Sequence, residues 1–263
     1  AKAKLRRQIM IATTSVGPGA TNMVTAAGVA HSNRLPVLLL SGDTYNNRLP
    51  DPVLQQVEHF GEPSITVNDS FRSVSRYWDR ITHPAQILSS LPQAVSTMMD
   101  PADCGPAFIG LPQDVQEIAY DYPVEFFSET IWRIPRSRPD IQQVKDAAKI
   151  LKTSKNPLII SGGGVRYSGA EKALIKFAEE RMIPVAETIA GKGAFVHDHS
   201  FYVGAIGIEG TDAAKELAET ADVVVAVGTR LQDFTTGSWT TFRYDAKFIN
   251  INAARFDAKK HFS

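Results

Sequence analysis

The chain has one cysteine, no excess of either charge, and no apolar run long enough for a bilayer. Each absence excludes something. A single thiol, Cys104, rules out an internal disulfide and fits a reducing cytosol. Lys and Arg together number 28 and so do Asp and Glu, so no global field favours nucleic acid or an anionic membrane surface. No stretch approaches the roughly 20 apolar residues of a membrane helix, and the expected location is the cytoplasm. Histidine and cysteine are too scattered for a metal site; neighbours His197 and His199 flank an aspartate in a polar, loop-like stretch. Cys104 has no base or helix start beside it and reads as buried filler. The first seven residues lack an initiator methionine, an apolar signal core and a cap. They read as the tail of a helix, and with Ala253 to Ser263 showing no docking element, the chain reads as an internal fragment.

What is present is a globular composition, 43% hydrophobic and 21% charged over 263 residues, enough for two domains of ordinary size. Residues 8–43 organise the rest. Ile9 to Thr13 is a short β-branched apolar run, the mark of a strand buried on both faces. Gly17-Pro18-Gly19 breaks it, the proline fixing one φ and the glycines permitting angles that a Cβ forbids. Ala20 to His31 supplies small and apolar residues for a helix packed closely on a sheet, with His31 welcome at its C-terminal end. Val37 to Ser41 is a second buried strand, ended by Gly42-Asp43. Such a strand–loop–helix–strand unit implies parallel strands, and the loop lies where open α/β sheets bind ligands. A dinucleotide fingerprint is one reading of this loop, with Asp43 as the ribose acid, but Asn22 stands where its third glycine belongs. A tight turn with no ligand is another.

Further along, Val53 to Phe60 reads as a short amphipathic helix carrying a Glu58–His59 pair, which either does acid–base work or simply faces solvent. Ser64 to Val67 suggests a brief strand, and Phe71 to Ile81 is spaced more like a helix. Pro84 to Met99 is helical, with Pro92 predicting a kink or break. Pro106 to Leu111 is another buried strand. Residues 114–139 hold several prolines and the aromatics Tyr120, Tyr122, Phe126, Phe127 and Trp132, the composition of a connector pinned to a surface. The boundaries that follow are a partial first domain over 1–113, a linker over 114–139 and a second α/β domain over 140–263. That second domain starts at an Asp140 cap, followed by a stripe of Ile141, Val144, Ala148 and Leu151. Strands at Leu158–Ser161, Ile183–Ile189, Asp222–Val227 and Lys247–Asn252 alternate with helices at Ala170–Arg181 and Thr211–Thr220, which predicts a doubly wound parallel sheet. Gly162 to Gly164 lacks the residues of a phosphate loop and fits a tight strand-to-helix turn better. Gly228-Thr229-Arg230 with Asp233 sits at a ligand-permissive strand end, where an Arg–Asp structural pair explains it equally well.

T-S-V-G-P-G-A-T-N followed by L-P-V-L-L-L-S-G-D resembles the pyrimidine-binding domain of thiamine-diphosphate enzymes of the acetolactate synthase type, with Val16 as an extra residue. G-P-A-F-I-G-L-P-Q-D-V-Q is similar to the segment that closes that domain. K-N-P-L-I-I-S-G-G-G-V, I-P-V-A-E-T-I-A-G-K-G-A-F and A-D-V-V-V-A-V-G-T-R look like successive landmarks of the family's central domain. Within the family, P-D-P-V-L-Q-Q-V-E-H-F, S-R-Y-W-D-R-I and A-Y-D-Y-P resemble the branch of trihydroxycyclohexanedione hydrolases of myo-inositol breakdown more than acetolactate synthase.

The resemblance implies an α/β fold of two doubly wound parallel-sheet domains, cut from a three-domain enzyme whose cofactor lies between subunits. It implies that Ser15, Pro18 and Asn22 face the aminopyrimidine ring of thiamine diphosphate, and that Gln56, His59 and Phe60 approach a small cyclic diketone. The activating glutamate is expected upstream of Ala1. The motif that holds diphosphate and Mg2+ is expected beyond Ser263, so the piece alone should be inactive and contains no catalytic residue. FAD, held by the central domain of some relatives, is not expected here. The implied activity of the full-length protein is hydrolysis of the C–C bond between two carbonyls, giving 5-deoxyglucuronate, in a homodimer or homotetramer without nucleic acid or membrane. The alternatives are a decarboxylating carboligase, a dinucleotide-binding module, and a purely structural or assembly role.

Overall fold

A computed structural model describes Ala3 and residues 8–261 of the chain. The helix tail expected over residues 1–7 lies outside the described residues, apart from Ala3, which is helical and packs with Ala30 and Leu35. The chain divides into two compact units, residues 1–136 and 137–263. Each is built on one parallel sheet.

In the first unit the strands β1 (Met10–Thr14), β2 (Val37–Asp43), β3 (Tyr77–Arg80) and β4 (Ala107–Pro112) run side by side in the order β1-β2-β4-β3. Helix α1 (Pro18–Ser32) crosses from β1 to β2 and presents Ala20 and Ala27 to Leu39, Phe71 and Phe108 on one face. These small side chains let the helix approach the sheet closely. Helix α2 (Ile87–Met99) covers the other face, setting Ala94 and Met98 against Leu38, Ile81 and Ile109. Pro92 does not break it. Proline removes a single N–H from the ladder, and the buried Ser90, Ala94 and Met98 hold the helix on both sides of that gap.

The second unit has five strands in the order β7-β6-β5-β8-β9: β5 (Pro157–Ser161), β6 (Val185–Glu187), β7 (Tyr202–Ala205), β8 (Val223–Val227) and β9 (Lys247–Ile251). Between them the chain forms α4 (Ile141–Thr153), α5 (Gly163–Ser168), α6 (Glu171–Arg181), α7 (Asp212–Thr220), α8 (Asp233–Thr236) and α9 (Arg255–Lys259), while α3 (Gln113–Gln116) closes the first unit's sheet. Alternate residues of β5 and β8 serve two cores, one under α7 and one under α4 and α6. That is the doubly wound arrangement the sequence predicts.

Several expected elements differ. Residues 53–60 form no helix, and 64–67 no strand; the chain there is an extended loop ending in a 3-10 segment, Val67–Ser73. Residues 71–81 are not helical beyond that segment. Tyr77 and Trp78 point into opposite cores, a period of two, and this is β3. The turn after β5 enters α5 at Gly163, seven residues before the helix expected from Ala170. On α4 the supposed stripe is mostly exposed: Ile141, Val144 and Ala148 face outward, and Ile150 and Leu151 meet the core. Asp140 caps this helix by accepting the N–H groups of Gln142 and Gln143, without a reciprocal box. Strand β7 escapes the pattern because it is short, half-buried and interrupted by Gly204 at φ 100°. Of the connector's aromatics, Tyr120, Tyr122, Phe126 and Phe127 pack on one another, edge to face except for Tyr122 stacked on Phe126, with Tyr120 against His83, and Trp132 stays half exposed.

Candidate functional site

The turn between β1 and α1 is built around Gly17, whose φ of 72° and ψ of −127° suit glycine alone. A Cβ there would lie 1.8 Å from the carbonyl oxygen of Gln55. The loop after β2 therefore folds back onto the turn at this point. Ser15 Oγ donates to Gln55 Oε1 at 3.3 Å, and Ser41 Oγ, at the end of β2, donates to Ser15 O at 3.4 Å. Pro18 opens the helix, where its missing N–H costs nothing. The next two amides, of Gly19 and Ala20, have no hydrogen-bond partner among the described residues, and no side chain caps the helix. Asn22 is exposed one turn on and makes no side-chain hydrogen bond among the described residues. Ser15 and Pro18 are exposed as well. The turn thus offers the Asn22 side-chain amide and the half-buried Gly19 N–H at the carboxyl end of a parallel sheet, while Ala20 is fully buried and the Ser15 hydroxyl proton is taken by Gln55.

Asp43, the candidate ribose acid, is committed elsewhere. It is 1% exposed, accepts Arg80 Nε at 2.7 Å through Oδ2 and the Thr44 N–H at 2.9 Å through Oδ1. Arg80 comes from the end of β3 and reaches Asp43 across β4, where Gly110 leaves room; a Cβ there would sit 3.3 Å from Asp43 Oδ2. The other face of the guanidinium binds Asp69 and Thr66. Burial disfavours the charge on Arg80, but Asp43 and Asp69 outweigh it and hold the group above its ordinary value. Burial likewise acts to raise Asp69, and the Thr66 N–H with Arg72 and Arg80 overcomes it, keeping that carboxyl below the usual range. Sequence reasoning passed over Arg80 and Asp69. No local signal marks Arg80: its strand reads Tyr-Trp-Asp-Arg, and its partners lie 11, 14 and 37 residues away.

The three substrate candidates lie on the loop of residues 44–65. Gln56 is half-buried and turned inward: its Oε1 accepts the Val53 N–H and its Nε2 donates to Asp51. The neighbouring Gln55, at φ 66°, is the glutamine that meets Ser15 and Gly17. His59 is exposed and Phe60 is 90% exposed. No hydrogen bond joins Glu58 to His59 among the described residues.

In the second unit the strand order reverses between β5 and β8, the place where such sheets open a crevice. Here the crevice is filled by backbone. Gly162 N donates to Val227 O and Gly164 N to Gly228 O, and a Cβ on Gly164 would lie 2.7 Å from Gly228 Cα. The three glycines permit a close crossing of chain on chain. Glu187, at the end of β6, accepts the N–H groups of Gly193, Ala194 and Phe195 and so shapes the loop after it. His199 bridges Glu179 and the Phe201 N–H and stacks edge-on against Phe195, a structural role. Gly228 turns at φ 58°, Thr229 accepts the Leu231 N–H, and Asp233 begins α8. Cys104 donates to Met98 O, and burial pushes its thiol up to about 11. His31 does end α1, but burial and Arg76 lower its pKa, so the helix end is not complemented by a cation.

Residues 1–61 match the N-terminal thiamine pyrophosphate binding domain of thiamine pyrophosphate enzymes, and residues 144–263 match the central domain of the same enzymes. The chain is similar to proteins named 3D-(3,5/4)-trihydroxycyclohexane-1,2-dione hydrolase. That of Geobacillus thermodenitrificans is 50% identical over 99% of this chain and 40% of the relative. That of Clostridium tetani is 49% identical over 99% and 40%, and that of Bacillus licheniformis 49% over 98% and 41%. The chain spans about two fifths of the length of the curated relatives it matches.

Proposed function

Because this chain belongs to the thiamine pyrophosphate enzymes and carries their N-terminal and central domains, we propose that the full-length protein hydrolyses the bond between the two carbonyl carbons of a trihydroxycyclohexane-1,2-dione. The observation that carries this reading is the 50% identity, sustained over 99% of the chain, to a hydrolase named for that substrate. Water adds to one carbonyl carbon and the bond to its neighbour breaks. The first carbon leaves as a carboxylate and the second, after gaining a proton, as an aldehyde, which makes the product a 5-deoxyglucuronate. When bound, thiamine diphosphate supplies a nucleophilic thiazolium carbon and a sink for the electrons of the breaking bond.

The residues of the β1–α1 turn fit that cofactor. The unpartnered Gly19 amide and the exposed Asn22 amide supply donors for the ring nitrogens of an aminopyrimidine, with Pro18 as apolar neighbour and the Ser15 hydroxyl, whose proton goes to Gln55, left as an acceptor. On this reading His59 and Phe60, exposed on residues 44–65, approach substrate, and Gln56 does so only on leaving its bonds to Val53 and Asp51. Magnesium and the diphosphate are held by parts of the protein outside this chain, in a cytoplasmic homodimer or homotetramer. The test is the full-length protein with thiamine diphosphate, Mg2+ and the dione in H2(18)O. One labelled carboxylate oxygen per ring opened is expected. Acetolactate from pyruvate, with no dione cleavage, would overturn the reading.

A further inference from the structure

We propose that Arg80 is a positioning residue for the substrate loop, acting as the clasp that joins its two ends; this rests on the reading that residues 44–65 face substrate. The loop begins after Asp43, the last residue of β2, and ends at Thr66, the cap of the 3-10 segment. One guanidinium holds both. Arg80 Nε donates to Asp43 Oδ2 at 2.7 Å, and Nη2 donates to Thr66 Oγ1 at 2.9 Å and to Asp69 Oδ2 at 2.8 Å. Asp69 in turn accepts the Thr66 N–H at 2.9 Å, so the cap and the clasp share one carboxylate. The guanidinium lies 5.2 Å from the centre of the Trp78 ring, and Arg72 covers the same ring at 3.5 Å. Trp78 is itself fixed by donating to Asn68 O, and Asn68 donates to Gly42 O at the start of the loop.

The loop has little else to hold it. It contains no helix or strand, and Val53 is its one buried apolar side chain, while Leu49, Leu54 and Phe60 are at least 85% exposed. Hydrophobic burial therefore cannot fix its path. Its remaining ties are polar or steric: the N–H groups of Asn46 and Asn47 on Asp114, the Asn46 side chain on Thr82 O, the Ser15 hydroxyl on Gln55 Oε1, and the Gln55 carbonyl against Gly17. The last of these transmits the clasp to the β1–α1 turn, because releasing the loop ends frees Gln55 to leave Gly17. Planarity matters here. A guanidinium presents donors in two directions in a fixed fork, and a lysine ammonium in the same place cannot serve Asp43 and Thr66 together.

The experiment is hydrogen exchange by mass spectrometry on full-length Arg80→Gln and Arg80→Lys, with the amides of β4 as internal reference. A gain of about tenfold or more in exchange over residues 44–66, with β4 unchanged, is expected for Arg80→Gln, and a smaller gain in the same residues for Arg80→Lys. Exchange that rises equally in β4, or does not rise in the loop, overturns the proposal. If Arg80→Gln does not accumulate as folded protein, Arg80→Lys decides by the same criterion. A second readout separates positioning from stability: KM for the dione should rise about tenfold or more in Arg80→Lys with kcat within about threefold of wild type. An unchanged KM in the presence of loosened loop exchange overturns the substrate-positioning role. Wild-type protein that cleaves no dione refutes the proposed function instead, and the exchange measurement, which needs no substrate, still decides the clasp.

Discussion

Gly17→Ala probes the turn on which the site depends. Two costs are legible in the structure. The backbone at φ 72° and ψ −127° is one that side chains avoid, worth about 1–3 kcal/mol. The new methyl would lie 1.8 Å from Gln55 O, and the obstacle is backbone rather than a rotor, so the loop itself must move. Overpacking of that kind adds about 1–3 kcal/mol, the lower end applying because Gln55 is on an exposed loop that can yield. A total near 2–4 kcal/mol corresponds to roughly 8–15 °C in the melting of a unit this size. Gly19→Ala is the control. Its Cβ would meet Ser15 Oγ and Thr14 Oγ1, both at 2.7 Å, and hydroxyl rotors give way, so a loss of about 1 kcal/mol or less is expected. Urea unfolding of the two variants beside wild type gives the comparison. A Gly17→Ala protein within about 0.5 kcal/mol of wild type, or no worse than Gly19→Ala, would refute the contact between loop and turn.

Glu187→Gln keeps the shape but turns an NH2 toward the N–H groups of Gly193, Ala194 and Phe195, leaving at least one buried donor unmet. A loss of about 1–3 kcal/mol is expected, with faster proteolysis within residues 191–196. Cys104, with its thiol at about 11 instead of 9.0, should react with iodoacetamide at pH 8 roughly a hundredfold slower than an unperturbed thiol, read by intact mass. For His31, burial and then Arg76 depress the folded pKa below 6.5, so the unfolded chain takes up the proton first as pH falls. The contribution is present above 6.5 and is lost as pH drops below it. The urea midpoint should fall between pH 7.5 and 5.5, and less so in His31→Leu.

The sheets were legible because their central strands are continuous apolar runs; Leu38–Leu40, Phe108–Ile109 and Leu158–Ile160 can be read without knowing their neighbours. What could not be read were elements defined by partners remote in sequence. Tyr77–Arg80 is a strand only because β4 pairs with it, and its aromatics mimic helical spacing when joined to Phe71 and Val74. The loop of residues 44–65 carries apolar letters at helical intervals, yet Leu54 and Val57 face outward, so no burial pays for a helix there. Arg80 illustrates the same limit at the site. Its bonds run to positions 11, 14 and 37 residues away, and nothing local marks it.

The two glycine turns of this chain look alike as letters and differ in what their amides do. At Gly162–Gly164 three of the four N–H groups from Gly162 to Val165 are spent, on Val227 O, Gly228 O and Gly162 O, and the backbone of Gly228 fills the space a ligand would need. At Gly17–Gly19 a proline and a crossing loop shape the turn instead, and the partly exposed amide of Gly19 stays uncommitted among the described residues at the start of a helix of 15 residues. Glycine count cannot separate these cases, because glycine serves close packing and ligand approach equally well. The accounting of backbone donors does separate them. It leaves the first unit's turn with an uncommitted donor and gives the second unit's turn a structural use.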